Sequence, residues 1–342
     1  MSGAARDTPV DTLRGIACIL LVAYHVIGEE GRGLDTAPDS FLSWFSDSMA
    51  YLRMPLFTFL AGFVFAQREN TADRAGRFVW GKVRRLLFPL FCVGTLYYFV
   101  QAAAGQEPLQ VEFFEIHIFP FEHFWYLQSL FIIFIFVFCL DVIGWIRTDR
   151  SLLAATAIAL LGAPFIEFET NLFSINGAIY LVPYFLLGIS FKRISWLSAS
   201  NAPDSRGRIW LWAGVAVLTI VHQASLLWTL PELFHPYRLS GEVYSIACIA
   251  LLYSLGLNGG FLSWVGGYSY SIYLFHIFGT AGARMLFGRV GVENDAVLFF
   301  LGMICGLLLP VVAEKVLERN PLSRMAFLGR SWSVKRPALV RD

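Results

Sequence analysis

Charge is what this chain has least of. Only 15% of its 342 residues are Asp, Glu, Lys or Arg, against about 25% in an ordinary soluble domain. The 26 basic and 25 acidic side chains leave a net charge of +1, so no basic surface is expected for a nucleic-acid partner. Cysteine is also sparse. Cys18, Cys92, Cys139, Cys248 and Cys305 sit singly in apolar runs; spaced as neither a zinc site nor a disulfide framework, they predict no metal centre and no thiol redox chemistry. A glycine-rich phosphate loop, a Gly-x-Ser-x-Gly elbow and a His-Glu-x-x-His helix are all missing, so P-loop ATPase, serine hydrolase and zinc protease mechanisms have no motif behind them. No small-residue cleavage site precedes Glu29-Glu30, and the first apolar run reads as a retained helix.

Apolar residues fill the space instead. They make up 57% of the chain, with 32 Phe, 10 Trp and 13 Tyr, and mean hydropathy is +0.61. That composition predicts an all-α polytopic integral membrane protein, because helices of about 17 to 25 residues cross the hydrocarbon core with their backbone satisfied internally. Runs such as "LFIIFIFVF" lack the alternation of a barrel strand. Cutting at charged and Pro/Gly-rich breaks gives ten candidate transmembrane helices: 11–28, 47–67, 84–104, 123–145, 151–166, 175–193, 208–229, 240–258, 267–288 and 295–316.

The connections between them set the orientation. Arg68, Arg74, Arg77, Lys82, Arg84 and Arg85 lie in one, Arg147 and Arg150 in another, and Lys192, Arg193, Arg206 and Arg208 in a third, with seven Lys or Arg from Lys315 onward. The positive-inside rule assigns these to the cytoplasm, together with both termini. The alternate connections carry Glu29, Glu30, Asp35, Glu107, Glu112, Glu115, Glu122, Glu167, Glu169 and Glu232, and are expected outside. Residues 1–342 read as a single transmembrane domain, with a core over about 8–318, a basic cytoplasmic tail over 319–342, and no internal repeat.

An ionisable group at the centre of a span costs roughly 2.5–3.5 kcal/mol, so each one is a candidate for function. Arg14 and His25 in "RGIACILLVAYH" are eleven residues apart. At about 100° and 1.5 Å per residue they share one helical stripe and stand about 16 Å apart along it, from the inner surface to the outer half. A plainer reading has Arg14 snorkelling to Asp11 and His25 packed as an interior histidine. Arg53, Glu122, His123 and His222 fall at a similar outer depth. Taken alone, His222 and His276 read as core-packed, while His117 and His235 read as solvated loop residues. Arg77, Lys82, Arg84 and Arg85 recur at helical spacing beside an inner membrane opening, which suits phosphates, although any cytoplasmic flank is basic.

Five segments in order, "DTLRGIACILLVAYH", "MPLFTFLAGFVFA", "RFVWGKVRRLLFPL", "HFWYLQSLF" and "GGYSYSIYLFHI", resemble the membrane-bound acyltransferase 3 family. The chain differs in carrying Ala61-Gly62 where Ser-Gly is common, and it is expected to be a stand-alone transferase without an appended hydrolase-like domain. The resemblance implies an O-acyltransferase of the cell (inner) membrane. Its donor co-substrate is acyl-CoA on the cytoplasmic side, with acetyl-CoA expected, and no cofactor is bound permanently. Its acceptor is a hydroxyl of an envelope carbohydrate or lipid-linked glycan on the outer side. Roles follow from the same resemblance. His25 is the general base, and Arg14 is a donor-channel contact or a structural partner of Asp11. Arg77, Lys82, Arg84 and Arg85 hold the CoA phosphates. Arg53 or His123 steadies the oxyanion, or Glu122 orients an imidazole. A helical bundle with midplane histidines also fits a proton-coupled transporter or polysaccharide exporter without acyl transfer, but neither paired broken helices nor repeated halves are found.

Overall fold

A computed structural model describes residues 8–28, 33, 34, 37, 40–105, 112–197, 205–227 and 234–332. Glu29, Glu30, Asp35, Glu107 and Glu232, the Arg206 and Arg208 side chains, and the tail beyond residue 332 lie outside the described residues or side chains. Among the described residues all regular structure is helical. The α-helices are α1 (Thr8–Ile27), α2 (Phe41–Ser48), α3 (Arg53–Phe65), α4 (Ala75–Lys82), α5 (Phe88–Ala103), α6 (Trp125–Val142), α7 (Asp149–Gly162), α8 (Ile175–Arg193), α9 (Ser205–Leu227), α10 (Leu239–Ser254), α11 (Gly260–Gly267), α12 (Ser269–Arg289), α13 (Asp295–Leu317) and α14 (Pro321–Leu328).

Seven described stretches are long and apolar enough to cross a membrane: Pro9–Ile27, Phe41–Phe65, Ala72–Ala103, Glu115–Val142, Leu172–Arg193, Ile209–Leu227 and Asp295–Leu317. The protein is therefore a multi-pass membrane protein. The other three expected spans coincide with α7 of 14 residues, α10 of 16, and α12. α12 is long, but Tyr270, Ser271, Tyr273, His276, Thr280 and Arg284 make it too polar to count by hydropathy.

Position in the bundle follows burial. Two-thirds of the apolar window of α1 is buried (67%), compared with 17% for α9 and 22% for α13, whose exposed Ile209, Trp210, Ile220, Phe300 and Ile304 form lipid-facing surfaces. Without a hydrophobic drive between helices in lipid, close packing depends on small residues. A Cβ added to Gly62 would fall 2.0 Å from the Phe185 carbonyl oxygen, and one on Gly188 would fall 2.0 Å from that of Phe59, so α3 and α8 touch backbone to backbone. Gly15 and Gly266 allow the same approach between α1 and α11. Phe59, Leu56, Leu127, Leu181 and Phe185 fill the core around these crossings.

One buried carboxylate near the end expected to face the cytoplasm is fully paired. Asp141 at the end of α6 accepts two bonds of 2.7 Å from the Arg193 guanidinium of α8 and one of 2.8 Å from Asn70. The connection before α4 is thus tied to the bundle. Between α4 and α5 the helix widens into a π turn over Val83–Leu87, and the Tyr270 hydroxyl of α12 donates to the Arg85 carbonyl.

Candidate active site

Two cavities open in the bundle and share the Tyr273 side chain as a wall. The one at the end expected to face the cytoplasm, the inner cavity, has a volume of about 560 Å³. Arg14 from α1, Arg68, and Arg77, Lys82, Arg84 and Arg85 from α4 and the π turn line it, so its wall carries six cations and no carboxylate. The π turn contributes here by placing consecutive arginines at the cavity, with the buried Leu86 beside them in its wall. Lys82 stands 3.1 Å from the Phe134 ring centre, a cation–π contact in an apolar wall. The Arg84 Nε is buried with no partner, a donor left over for a ligand. Arg14 forms the expected 2.9 Å pair with Asp11 and also lines the cavity.

The outer cavity, about 450 Å³, is built differently. His25 arrives from the last turn of α1, Arg53 from the start of α3, and Glu122 and His123 from the short turn before α6. Arg284 and Thr280 of α12, Tyr24, Trp125, Tyr180 and Tyr237 complete its polar and aromatic lining. The Arg53 guanidinium lies 3.8 Å from the Tyr24 ring centre. Glu122 takes φ 44°, the left-handed region, at a cost of order 1–3 kcal/mol that persists only where surrounding packing enforces it. Its carboxylate accepts a 3.1 Å bond from Gln101, which also donates to the Tyr97 hydroxyl.

At the back of this cavity three imidazoles converge. The His25 ring centre is 6.2 Å from that of His123 and 4.7 Å from that of His276, and His123 and His276 are 5.1 Å apart. Both ring nitrogens of His123 are buried without a hydrogen-bond partner, while its carbonyl accepts from the Tyr273 hydroxyl. Among the described residues no group of three or more His, Cys, Asp or Glu has the arrangement to hold a metal ion. What the cluster offers is a set of imidazole nitrogens, a residue type able to take up and give back a proton, at the back of an open cavity.

The structure thus brings His25, Arg53, Glu122 and His123 to one cavity and Arg14, Arg77, Lys82, Arg84 and Arg85 to the other. Of the histidine readings, that of His117 changes, while His222 and His276 are fully buried, as core-packed histidines would be. His276, read as core packing, stands in the imidazole cluster. His117, read as solvated, is half-buried, stacks on Phe91 at 4.6 Å and shares a hydrogen bond with Thr95. His222, placed at the same depth as His25, faces another way: it stacks on Tyr244 with centres 4.7 Å apart and packs edge-on against Tyr51. Arg284, Arg68 and Tyr273 were not singled out from the sequence. A polar stripe at helical spacing, Tyr273, His276, Thr280 and Arg284, was the signal available.

The family model described as an acyltransferase domain, that of the acyltransferase 3 family, matches residues 8–315. No curated protein and no solved structure matches the chain.

Proposed function

The chain belongs to the acyltransferase 3 family, and from that premise we propose that it moves an acetyl group from cytoplasmic acetyl-CoA to a sugar hydroxyl on the far side of the cell membrane. The observation that carries this reading is the pair of cavities, one whose charged lining is all cationic and one imidazole- and aromatic-lined, that share Tyr273.

In this reading ten helices cross the bilayer with both termini in the cytoplasm. Arg77, Lys82, Arg84 and Arg85 meet the CoA phosphates, for which guanidinium forks are well matched. The pantetheine arm runs outward along α1, over the distance of about 16 Å from Arg14 to His25, and presents the thioester beside Tyr273. Trp125, Tyr24 and Tyr237 offer ring faces to the apolar faces of a sugar in the outer cavity.

His25 removes the proton of the acceptor hydroxyl as its oxygen attacks the thioester carbon. The developing oxyanion is held by Arg53 or His123. When the carbon–sulfur bond breaks, His25 returns the proton to the CoA sulfur, leaving a sugar ester and free thiol. Glu122, held by Gln101, orients the turn that carries His123.

The test uses the intact protein in proteoliposomes with radiolabelled acetyl-CoA and envelope glycan. Acyl transfer predicts labelled glycan and free CoA in equal amounts. Movement of glycan or protons without CoA release would replace this reading with a carrier.

A further inference from the structure

His276 is fully buried on α12, directly behind His25, and does not line the outer cavity. Its Nδ1 lies 2.9 Å from the Ile272 carbonyl oxygen and 2.9 Å from that of Tyr273. A carbonyl oxygen only accepts, so Nδ1 carries the hydrogen and the neutral ring must leave Nε2 as a bare lone pair. That Nε2 is buried and unpartnered, and its ring centre is 4.7 Å from the His25 ring. His123 is farther from His276, at 5.1 Å between ring centres, and its ring interacts with the Leu274 backbone.

We propose that His276 is the positioning residue for His25. In the reacting complex its Nε2, unpartnered in this structure, accepts an N–H of His25 and leaves the opposite nitrogen of His25 bare toward the acceptor hydroxyl. This rests on the assignment of His25 as the base. During transfer the hydroxyl proton passes to the bare nitrogen of His25 as the new C–O bond forms, and then to the CoA sulfur as the C–S bond breaks. His276 keeps its own proton on Nδ1 throughout and stabilises the transient imidazolium through Nε2, the part a buried carboxylate plays in a hydrolase triad.

Two amides separate the two nitrogens of His276. In His276→Asn the amide nitrogen overlays Nδ1 and keeps the bond to the helix carbonyls but offers nothing at Nε2; in His276→Gln the amide oxygen reaches the Nε2 position. In proteoliposomes His276→Asn is expected to lower kcat about 100-fold, with KM for acetyl-CoA and for glycan changed by less than about twofold, and His276→Gln to recover about tenfold of that loss. In a His25→Ala background His276→Asn is expected to cost nothing further. Equal losses in Asn and Gln, raised KM with intact kcat, or the same factor lost without His25 would overturn the assignment. Should His276→Asn fail to accumulate, His276→Phe, which fills the ring volume without a nitrogen, takes its place against His276→Gln.

An activity-independent readout separates this proposal from the reading it rests on. Nitrogen NMR of histidine-labelled protein should give one tautomer for His25 in the wild type and a mixture in His276→Asn. That change in a protein releasing no CoA would keep the pairing and remove the acyl transfer; an unchanged tautomer in an active protein would do the reverse.

Discussion

Six cations and no carboxylate line the inner cavity, whereas the outer one sets Arg53 and Arg284 against Glu122 and surrounds them with imidazoles, phenols and an indole. The inner wall is built for net negative charge and tolerates variety in how that charge is presented, because each arginine is a separate multidentate donor. The outer wall is built for direction: its nitrogens must act as donor or acceptor in a fixed sense, so they are held by backbone carbonyls, strained turns and buried neighbours. Small displacements should therefore cost more outside than inside.

His25→Ala sharpens this comparison most. Loss of a general base costs on the order of 10² to 10⁴ in rate, and transfer should fall by that factor while acetyl-CoA binding, measured by calorimetry, stays at the wild-type affinity. Loss of binding instead would mean that the two cavities are not separate ligand sites. On the inner side, Arg84→Ala with Arg85→Ala should weaken acetyl-CoA binding by roughly 10- to 100-fold, from hydrogen bonds to charged groups of about 1.5–3 kcal/mol. Glycan KM should hold steady, and a rise in it would blur the division.

Gly62→Ala tests the scaffold between the cavities. Its Cβ meets the Phe185 backbone at 2.0 Å, so the melting temperature in detergent should drop by the equivalent of about 1–3 kcal/mol. Gly76→Ala, with nothing within 4 Å of the added Cβ, should leave it unchanged or slightly higher. A modest effect is expected from Trp125→Ala: a rise of several-fold in glycan KM, in keeping with about 0.5–1.5 kcal/mol for an aromatic contact, with acetyl-CoA KM unaltered. A change in the donor KM alone would move the sugar subsite elsewhere.

The Arg14 to His25 stripe was legible in the sequence because one straight helix carries both residues, and helical period is a local property. The basic run from Arg77 to Arg85 was legible for the same reason, although not the π turn that aims it, since such a turn depends on the packing of Leu86 and on the Tyr270 bond from a distant helix. His276 was not legible as part of the site. Its depth looked like that of any packed histidine, and what distinguishes it is which helix faces it, a matter of tertiary contact. His222 was read as core-packed and is so, because α9 turns it onto Tyr51 and Tyr244. Hydropathy likewise leaves out α12, whose Tyr273, Thr280 and Arg284 line the outer cavity.

Sidedness is the most direct test of the central claim that donor and acceptor enter from opposite faces and react across Tyr273. Proteoliposomes with the protein in one defined orientation would receive acetyl-CoA on one face only and glycan on the other. The account predicts acylated glycan when acetyl-CoA is on the face of Arg84 and Arg85 and glycan is opposite, and none when the two are exchanged. Equal product with both substrates on a single face would contradict it.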